Sequence, residues 1–332
     1  MEPISTHDRS PRQPIRLWRM VASLMLLTGM AVLLMAPPAG AAGMPEEGAE
    51  YRFAVAAMLE EIDETELQQT TRDLEEFPTR VFGTDGNHEA GEYLHRRLAG
   101  IPGLSVEFQG GDLRNVVATL PGSGEAAGEV VVVGAHYDST SWDPARAPGA
   151  TDNGCGVAIV LELARVMSGH SFDRTVRFAF WNAEEDGRYG SAAYAESAAD
   201  SSDPIPLYLN YDSACYDPED RFVLDLMYDE RSKDVAALMA EYNALYGINF
   251  TLTENAHACA SDHIPFRDRG YPAVTTHCEE HGPAHTPDDT LDHVSFPYAA
   301  GNARLGLAVL TETAVPRDNH ESVVSPNTPP AR

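Results

Sequence analysis

Two apolar runs constrain the fold of this chain more than any other feature. Residues 129–134 read EVVVVG and residues 175–181 read TVRFAFW. Almost wholly apolar runs of this length are typical of strands that are buried on both faces of a parallel sheet. Helical patterns alternate with these and other short strands, which predicts an α/β fold. We therefore expect a mostly parallel mixed sheet sandwiched between helices, in three αβα layers.

The remaining elements follow from hydrophobic periodicity and from glycine and proline positions. The predicted strands are residues 104–109, 115–120, 129–134, 175–181, 207–210, 222–227 and 273–276. The predicted helices are residues 51–76, 88–98, 154–167, 191–199, 232–246 and 298–314.

The N-terminus has the pattern of a secretory signal peptide. Four arginines lie before an apolar run at residues 21–35, and the sequence Ala-Gly-Ala ends at Ala41. This order of charge, apolar core and small residues predicts cleavage of residues 1–41 and a secreted or periplasmic protein. A membrane anchor is the alternative, although a bilayer span needs about 20 apolar residues. Residues 42–59 are interpreted as a linker and the start of an N-terminal helix, and residues 316–332 as a flexible tail.

The chain is strongly acidic, with a formal net charge of −28 and Lys233 as its one lysine. Such a surface repels phosphates, which argues against a nucleic-acid partner. A salty habitat and a GC-rich genome both explain the shortage of lysine. The oligomeric state is left open.

Four cysteines permit three complete disulfide pairings. Cys259 and Cys278 flank one short region and are the favoured pair, whereas Cys155 lies in a glycine-rich motif and is expected to be a packed free thiol. Cys215 has no assigned partner. No cysteine pair has C-x-x-C spacing, so a thiolate zinc site is not expected.

Histidines and carboxylates gather where the predicted strands end, which is where sites form in open α/β sheets. His136 follows the first apolar run, and Asp138 is placed to orient its imidazole. Asp152 lies in the segment PGATDNGCG, just before a helix. Each has an ordinary alternative, because His136 could be a surface histidine and Asp152 a helix N-cap.

The adjacent carboxylates Glu184 and Glu185 follow the second apolar run. Two carboxylates at a buried strand end repel each other, and a bound metal would relieve that repulsion. Because neighbouring strand residues face opposite ways, the two should have different roles. A solvated acidic loop is the alternative. With Asp212 and His285, the set contains two histidines and three carboxylate ligands, which suits a pair of zinc ions.

Six motifs in this order resemble the di-zinc exopeptidases of peptidase clan MH, in particular bacterial secreted leucyl-type aminopeptidases. They are GAHYDS (134–139), PGATDNGCGVA (148–158), FWNAEEDGRYGS (180–191), NYD (210–212), SDHIPF (261–266) and HTPDDTLD (285–292). The resemblance covers residues 60–315, which it identifies as a zinc peptidase domain with the zinc exopeptidase fold.

The resemblance also implies a role for each residue. His136 and Asp212 would bind one zinc ion, Glu185 and His285 the other, Asp152 both, with Glu184 as general base and Asp138 as partner of His136. Ala284 stands where relatives often have tyrosine, so the oxyanion donor is open among Thr286, Tyr211 and Tyr189. His263 is interpreted as structural.

The expected function is a metallo-aminopeptidase with two Zn²⁺ per chain, acting on peptides with a free N-terminus. Two alternatives are related enzymes, a single-zinc glutaminyl cyclase and a carboxypeptidase-type relative. A non-catalytic binding domain is disfavoured, because all of the implied ligands and the base are present.

The charge of the chain predicts stabilisation by salt. Because salt screens the repulsion within an acidic surface, the melting temperature should be higher in molar sodium chloride than in dilute buffer. Differential scanning calorimetry across a salt series measures this shift. An equal or lower melting temperature in salt would contradict it.

Overall fold

The computed structural model describes residues 46–254, 260–278 and 280–315. The predicted signal peptide at 1–41 and the predicted tail at 316–332 lie outside the described residues. No helix in the described part of the chain is both long enough and apolar enough to span a bilayer.

Helices and strands alternate along most of the chain. The helices are α1 (Glu46–Leu59), α2 (Glu64–Glu75), α3 (Asp85–Ala99), α4 (Cys155–Met167), α5 (Tyr189–Ser201), α6 (Lys233–Leu245), α7 (His263–Asp268) and α8 (Phe296–Ala314). The strands are β1 (Ser105–Gln109), β2 (Asn115–Leu120), β3 (Val130–His136), β4 (Thr175–Trp181), β5 (Leu207–Tyr211), β6 (Val223–Met227), β7 (Thr251–Glu254) and β8 (Ala273–Cys278).

The described strands form one mixed sheet in the order β1-β2-β4-β3-β5-β8-β6-β7. Strand β3 is central, runs parallel to both β4 and β5, and is buried along its whole length. Strand β8 continues the parallel region beyond β5. The carboxyl ends of these four strands therefore meet at one edge of the sheet.

Helices cover both faces of the sheet. Val131 and Val133 of β3 belong to one core cluster, which also contains apolar residues of α4 and α8. Val130 and Val132 point to the opposite face and join a second cluster that includes Phe266 of α7. This alternation is the period of two expected of a strand. It confirms the predicted three-layer αβα fold.

The structure differs from the sequence interpretation in three regions of the chain. The helix predicted over 51–76 is two helices, because the Asp63 side chain accepts a hydrogen bond from the Thr65 N–H at 2.8 Å and starts α2 as an N-cap. Helix α1 also begins at Glu46, inside the predicted linker. Strand β7 and helix α7 were not predicted, since four and six residues are too short to show a period.

The disulfide prediction was wrong. Cys155 is bonded to Cys215, while Cys278 is a buried thiol that donates to the Ser213 carbonyl oxygen. Cys259 lies outside the described residues. Cys155 follows the loop after β3 and Cys215 follows β5, so the parallel sheet brings two distant segments together, with 6.3 Å between the Cα atoms. Sequence proximity was therefore the wrong criterion.

Candidate metal centre

His136 is at the centre of the first group of donor atoms. It is the last residue of β3, and its side chain is 1% exposed. Its Nε2 atom lies 3.3 Å from Oδ1 of Asp152 and 3.8 Å from Oδ1 of Asp212. Asp212 follows directly after β5, the parallel neighbour of β3. The three donor atoms lie within 4.8 Å of one another.

Asp152 also belongs to a second group. Its other oxygen, Oδ2, lies 3.1 Å from Nε2 of His285, which is 3.2 Å from Oε2 of Glu185. The donor atoms of Asp152, Glu185 and His285 again lie within 4.8 Å of one another. One carboxylate thus faces both groups. The structure brings together all five residues that the sequence interpretation named as ligands.

The donor set fits a pair of zinc ions. Imidazole nitrogens and carboxylate oxygens are ordinary zinc ligands, and each group supplies three of them. Oδ1 of Asp152 and Oε1 of Glu185 are buried without a hydrogen-bond partner among the described residues. Buried carboxylate oxygens without donors are unfavourable unless a cation compensates them.

The negative charge of the neighbouring carboxylates raises the pKa of both histidines. Burial disfavours a charged His136, but its three carboxylate neighbours outweigh burial and hold its pKa well above the ordinary value. Contacts with Asp152 and Glu185 raise the pKa of His285 to about 11. The carboxylates around the two imidazoles therefore favour positive charge at this position.

The pKa values of the two adjacent glutamates are raised as well. Burial, with a contribution from nearby carboxylates, raises the pKa of Glu184 to about 10. Burial and the charge of Asp152 raise the pKa of Glu185 to about 7. Both residues line the same cavity. Ala183 has φ 57° and breaks the extended backbone just before them, so the two glutamates do not lie on a continuing strand.

The Asp138 side chain accepts hydrogen bonds mainly from the backbone of the two glutamates. Its Oδ1 accepts the Glu184 N–H and its Oδ2 accepts the Glu185 N–H, each at 3.1 Å. Nδ1 of His136 lies 3.1 Å from the Asp138 carbonyl oxygen and 3.5 Å from its carboxylate. The backbone of Asp138, more closely than its side chain, thus contacts the imidazole.

Asp289 was not singled out by sequence reasoning. Its Oδ1 accepts the Thr151 N–H at 2.8 Å and the Thr151 hydroxyl at 2.6 Å, and its Oδ2 accepts the Asp152 N–H at 3.0 Å. It therefore holds the backbone that carries Asp152. Its place in HTPDDTLD marked the segment, but the spacing alone did not distinguish it from Asp288.

A buried arginine joins the segment that follows His136 to the loop that leads to Asp152. The Arg80 guanidinium donates to the carbonyl oxygens of Leu74, Tyr137, Pro148 and Gly149 at 2.5–3.0 Å. Gly149 has φ 54°, and Arg80 lies close to where a Cβ would be, so a side chain would not fit there.

The remaining candidates lie around the centre. Tyr211 is fully buried with its hydroxyl against Gly306 of α8, and the Thr286 hydroxyl donates to the Pro283 carbonyl at 2.7 Å. Tyr189 is 56% exposed. None of these three tyrosine and threonine hydroxyls lines the cavity. Burial lowers the pKa of His263 to about 4, and His263 belongs to neither donor group.

The two donor groups open into a cavity of about 270 Å³. Its described lining residues are Asp152, Glu184, Glu185, Asp212, Ser213, Ala260, His277, His281, Ala284 and His285. This is just below the 300–1,000 Å³ typical of small-molecule sites, so it suits one residue of a substrate.

Comparison with known proteins points to one family. A model described as peptidase family M28 matches residues 115–310, more than half of the chain. A probable leucine aminopeptidase of Trichophyton verrucosum is 29% identical over 280 residues, covering 78% of this chain and 75% of the relative.

Solved structures share the fold. The Legionella pneumophila LapA aminopeptidase superposes with a TM-score of 0.72 at 23% identity, covering 80% of this chain and 75% of that one. A glutaminyl cyclase of Porphyromonas gingivalis superposes with a TM-score of 0.63 at 20% identity, covering 76% and 99%. At these identities the likeness concerns the fold.

The geometry predicts that substituting two exposed histidines, eight residues apart in the sequence, has different effects on the zinc content. His285→Ala should lower the zinc bound per chain, because it removes a donor shared with Asp152 and Glu185. His293→Ala is the matched control and should keep the full zinc content. Plasma emission after dialysis measures both. Unchanged zinc in His285→Ala would contradict the second donor group.

Proposed function

This chain belongs to peptidase family M28, and from that premise we propose that it is a zinc-dependent aminopeptidase that removes the first residue of a peptide. One observation carries the proposal: the two oxygens of Asp152 face two donor groups, and the adjacent pair Glu184 and Glu185 lines the same cavity. The relative named a probable leucine aminopeptidase supports the substrate class.

The ligands are assigned from the two donor groups. His136 and Asp212 would hold one zinc ion, Glu185 and His285 would hold the other, and Asp152 would contact both. When bound, a zinc pair polarises a carbonyl group and acidifies water. Among the described residues, carboxylates and imidazoles alone make up the two donor groups.

Glu184 is proposed as the general base. Its side chain lines the cavity but belongs to neither donor group, while its N–H is fixed by Asp138. Cations in the two donor groups would lower the pKa that burial raises and so leave Glu184 ionised. In that state it would take a proton from the attacking water as the water oxygen bonds to the scissile carbonyl carbon. It would then give that proton to the amine nitrogen as the carbon–nitrogen bond breaks, so that it ends unchanged.

The charge of the cavity favours cleavage at the N-terminus of a peptide. Four carboxylates line it, and neither arginine nor lysine is among its described lining residues. A positively charged α-amine is attracted to such a cavity, and Asp212 is one available partner. A carboxypeptidase must bind the terminal carboxylate of its substrate, and the described lining offers no arginine or lysine to pair with that group.

We also propose that the enzyme acts outside the cytoplasm, on the basis of the signal-peptide pattern at residues 1–41. N-terminal sequencing of the protein exported by a suitable host should begin near Ala42. A product that still starts at Met1 and stays with the membrane would indicate the anchor instead.

The adjacent glutamates provide the decisive test. Glu184→Gln keeps the side-chain shape but removes the base, so turnover should fall roughly 10²–10⁴-fold while zinc stays bound. Glu185→Gln should weaken zinc binding first, since Oε2 of Glu185 is a donor atom. Added zinc should then partly restore Glu185→Gln and leave Glu184→Gln unchanged.

Turnover on an aminoacyl p-nitroanilide panel, measured with zinc content and with and without chelator, separates these effects. Glu184→Asp offers a matched variant, because it keeps the carboxylate and withdraws it by one methylene. It should retain more activity than Glu184→Gln. Normal turnover in Glu184→Gln would end the proposed mechanism.

A further inference from the structure

The wall of the cavity next to Asp212 contains a histidine that neither donor group uses. His277 is 1% exposed and lines the cavity. Neither of its ring nitrogens has a hydrogen-bond partner among residues 46–254, 260–278 and 280–315. A buried polar group without a partner is unfavourable, so we expect a ligand that forms hydrogen bonds with this imidazole.

The backbone fixes this histidine firmly in place. His277 belongs to β8, where Thr276 lies opposite Tyr211 of the parallel strand β5. The Asp212 N–H donates to the Thr276 carbonyl at 3.5 Å, and the Cys278 N–H donates to the Ser213 carbonyl at 3.0 Å. Main-chain bonds on both sides therefore hold the imidazole beside a proposed zinc ligand.

A second imidazole supports the first. The rings of His277 and His281 meet edge to face, with centroids 5.0 Å apart and planes at 69°. His281 also lines the cavity, although it is exposed to solvent on its other side. The contact restricts the plane of the His277 ring and hence the direction of its nitrogens.

The described part of this wall lacks what a leucine side chain needs. Apart from the proposed ligands and base, the described lining consists of two imidazoles, one serine and two alanines: His277, His281, Ser213, Ala260 and Ala284. No leucine, isoleucine, valine, methionine or phenylalanine is among its described lining residues. Pockets that bind apolar ligands are lined mainly by such side chains.

We propose that His277, supported by His281, binds the side chain of the substrate's first residue and selects the carboxamides of glutamine and asparagine over apolar side chains. This rests on the proposed aminopeptidase function and specifies its substrates. The two nitrogens of one imidazole point away from each other, so a carboxamide pairs with one of them, either accepting from its N–H or donating to its lone pair. A carboxylate can only accept and an ammonium group can only donate, whereas a carboxamide can pair with whichever nitrogen faces the cavity.

The test compares glutaminyl and methionyl p-nitroanilides, whose side chains have similar length, on the zinc-loaded full chain. For the unaltered protein, kcat/KM for the glutaminyl substrate should exceed that for the methionyl substrate at least about tenfold. His277→Leu should reverse the order while zinc content stays unchanged. His88→Leu, an exposed histidine of α3 outside the cavity, is the matched control and should keep the original order.

Should His277→Leu fail to fold, His281→Leu provides the second variant, and it should lower the preference for the glutaminyl substrate several-fold. Hydrolysis of the methionyl or leucyl substrate faster than the glutaminyl one by the unaltered protein would overturn the specificity and leave the aminopeptidase function standing. No p-nitroaniline from any aminoacyl substrate would overturn the aminopeptidase function itself. Ammonia released from the glutaminyl substrate without p-nitroaniline would overturn both and identify cyclisation.

Discussion

Crowding of carboxylates at a buried sheet edge is the constraint on which the rest of the site depends. Asp138 is fully buried, and Asp152 and Asp212 are each less than one-tenth exposed. Each must be compensated largely within the protein, because most of its surface is withdrawn from water. Asp138 is compensated by two backbone N–H groups, whereas Asp152 and Asp212 face His136 and its charge. The excess negative charge of the remaining groups is the physical reason to expect cations here.

Bringing the carboxylates together requires supports that carry no catalytic chemistry. Asp289 holds the backbone at Asp152 through three hydrogen bonds, and Arg80 joins the loop after β3 to the loop that leads to Asp152. Arg80 pairs with carbonyl oxygens rather than with a carboxylate. Burial lowers the pKa of the Arg80 guanidinium to about 10, and the negative charge of the nearby acidic groups opposes a larger fall. Positioning and charge balance thus come from the same side chain.

Much of the fold was predictable because its central strands are locally unambiguous. The runs at β3 and β4 are apolar on both faces, and four parallel carboxyl ends had to meet, so the grouping of His136, Asp212 and Glu185 followed from topology. The Cys155–Cys215 bond and the contact of Asp289 with Thr151 did not follow. The disulfide joins residues 60 positions apart, and the hydrogen bond joins residues 138 positions apart. No local sequence pattern indicates which distant residue a side chain contacts.

The bend before the glutamate pair shows how such a site departs from regular structure. In a continuing strand, Glu184 and Glu185 would point to opposite faces of the sheet, and only one could reach the cavity. Ala183 instead has φ 57°, a left-handed conformation that costs a residue with a Cβ about 1–2 kcal/mol. The Asn182 side chain accepts the Ala183 N–H at 3.1 Å, and the two oxygens of Asp138 accept the next two N–H groups. Three hydrogen-bonding atoms of neighbouring residues thus hold a strained turn, and the two consecutive glutamates that follow it line one cavity, where we propose that one binds a cation and the other moves a proton.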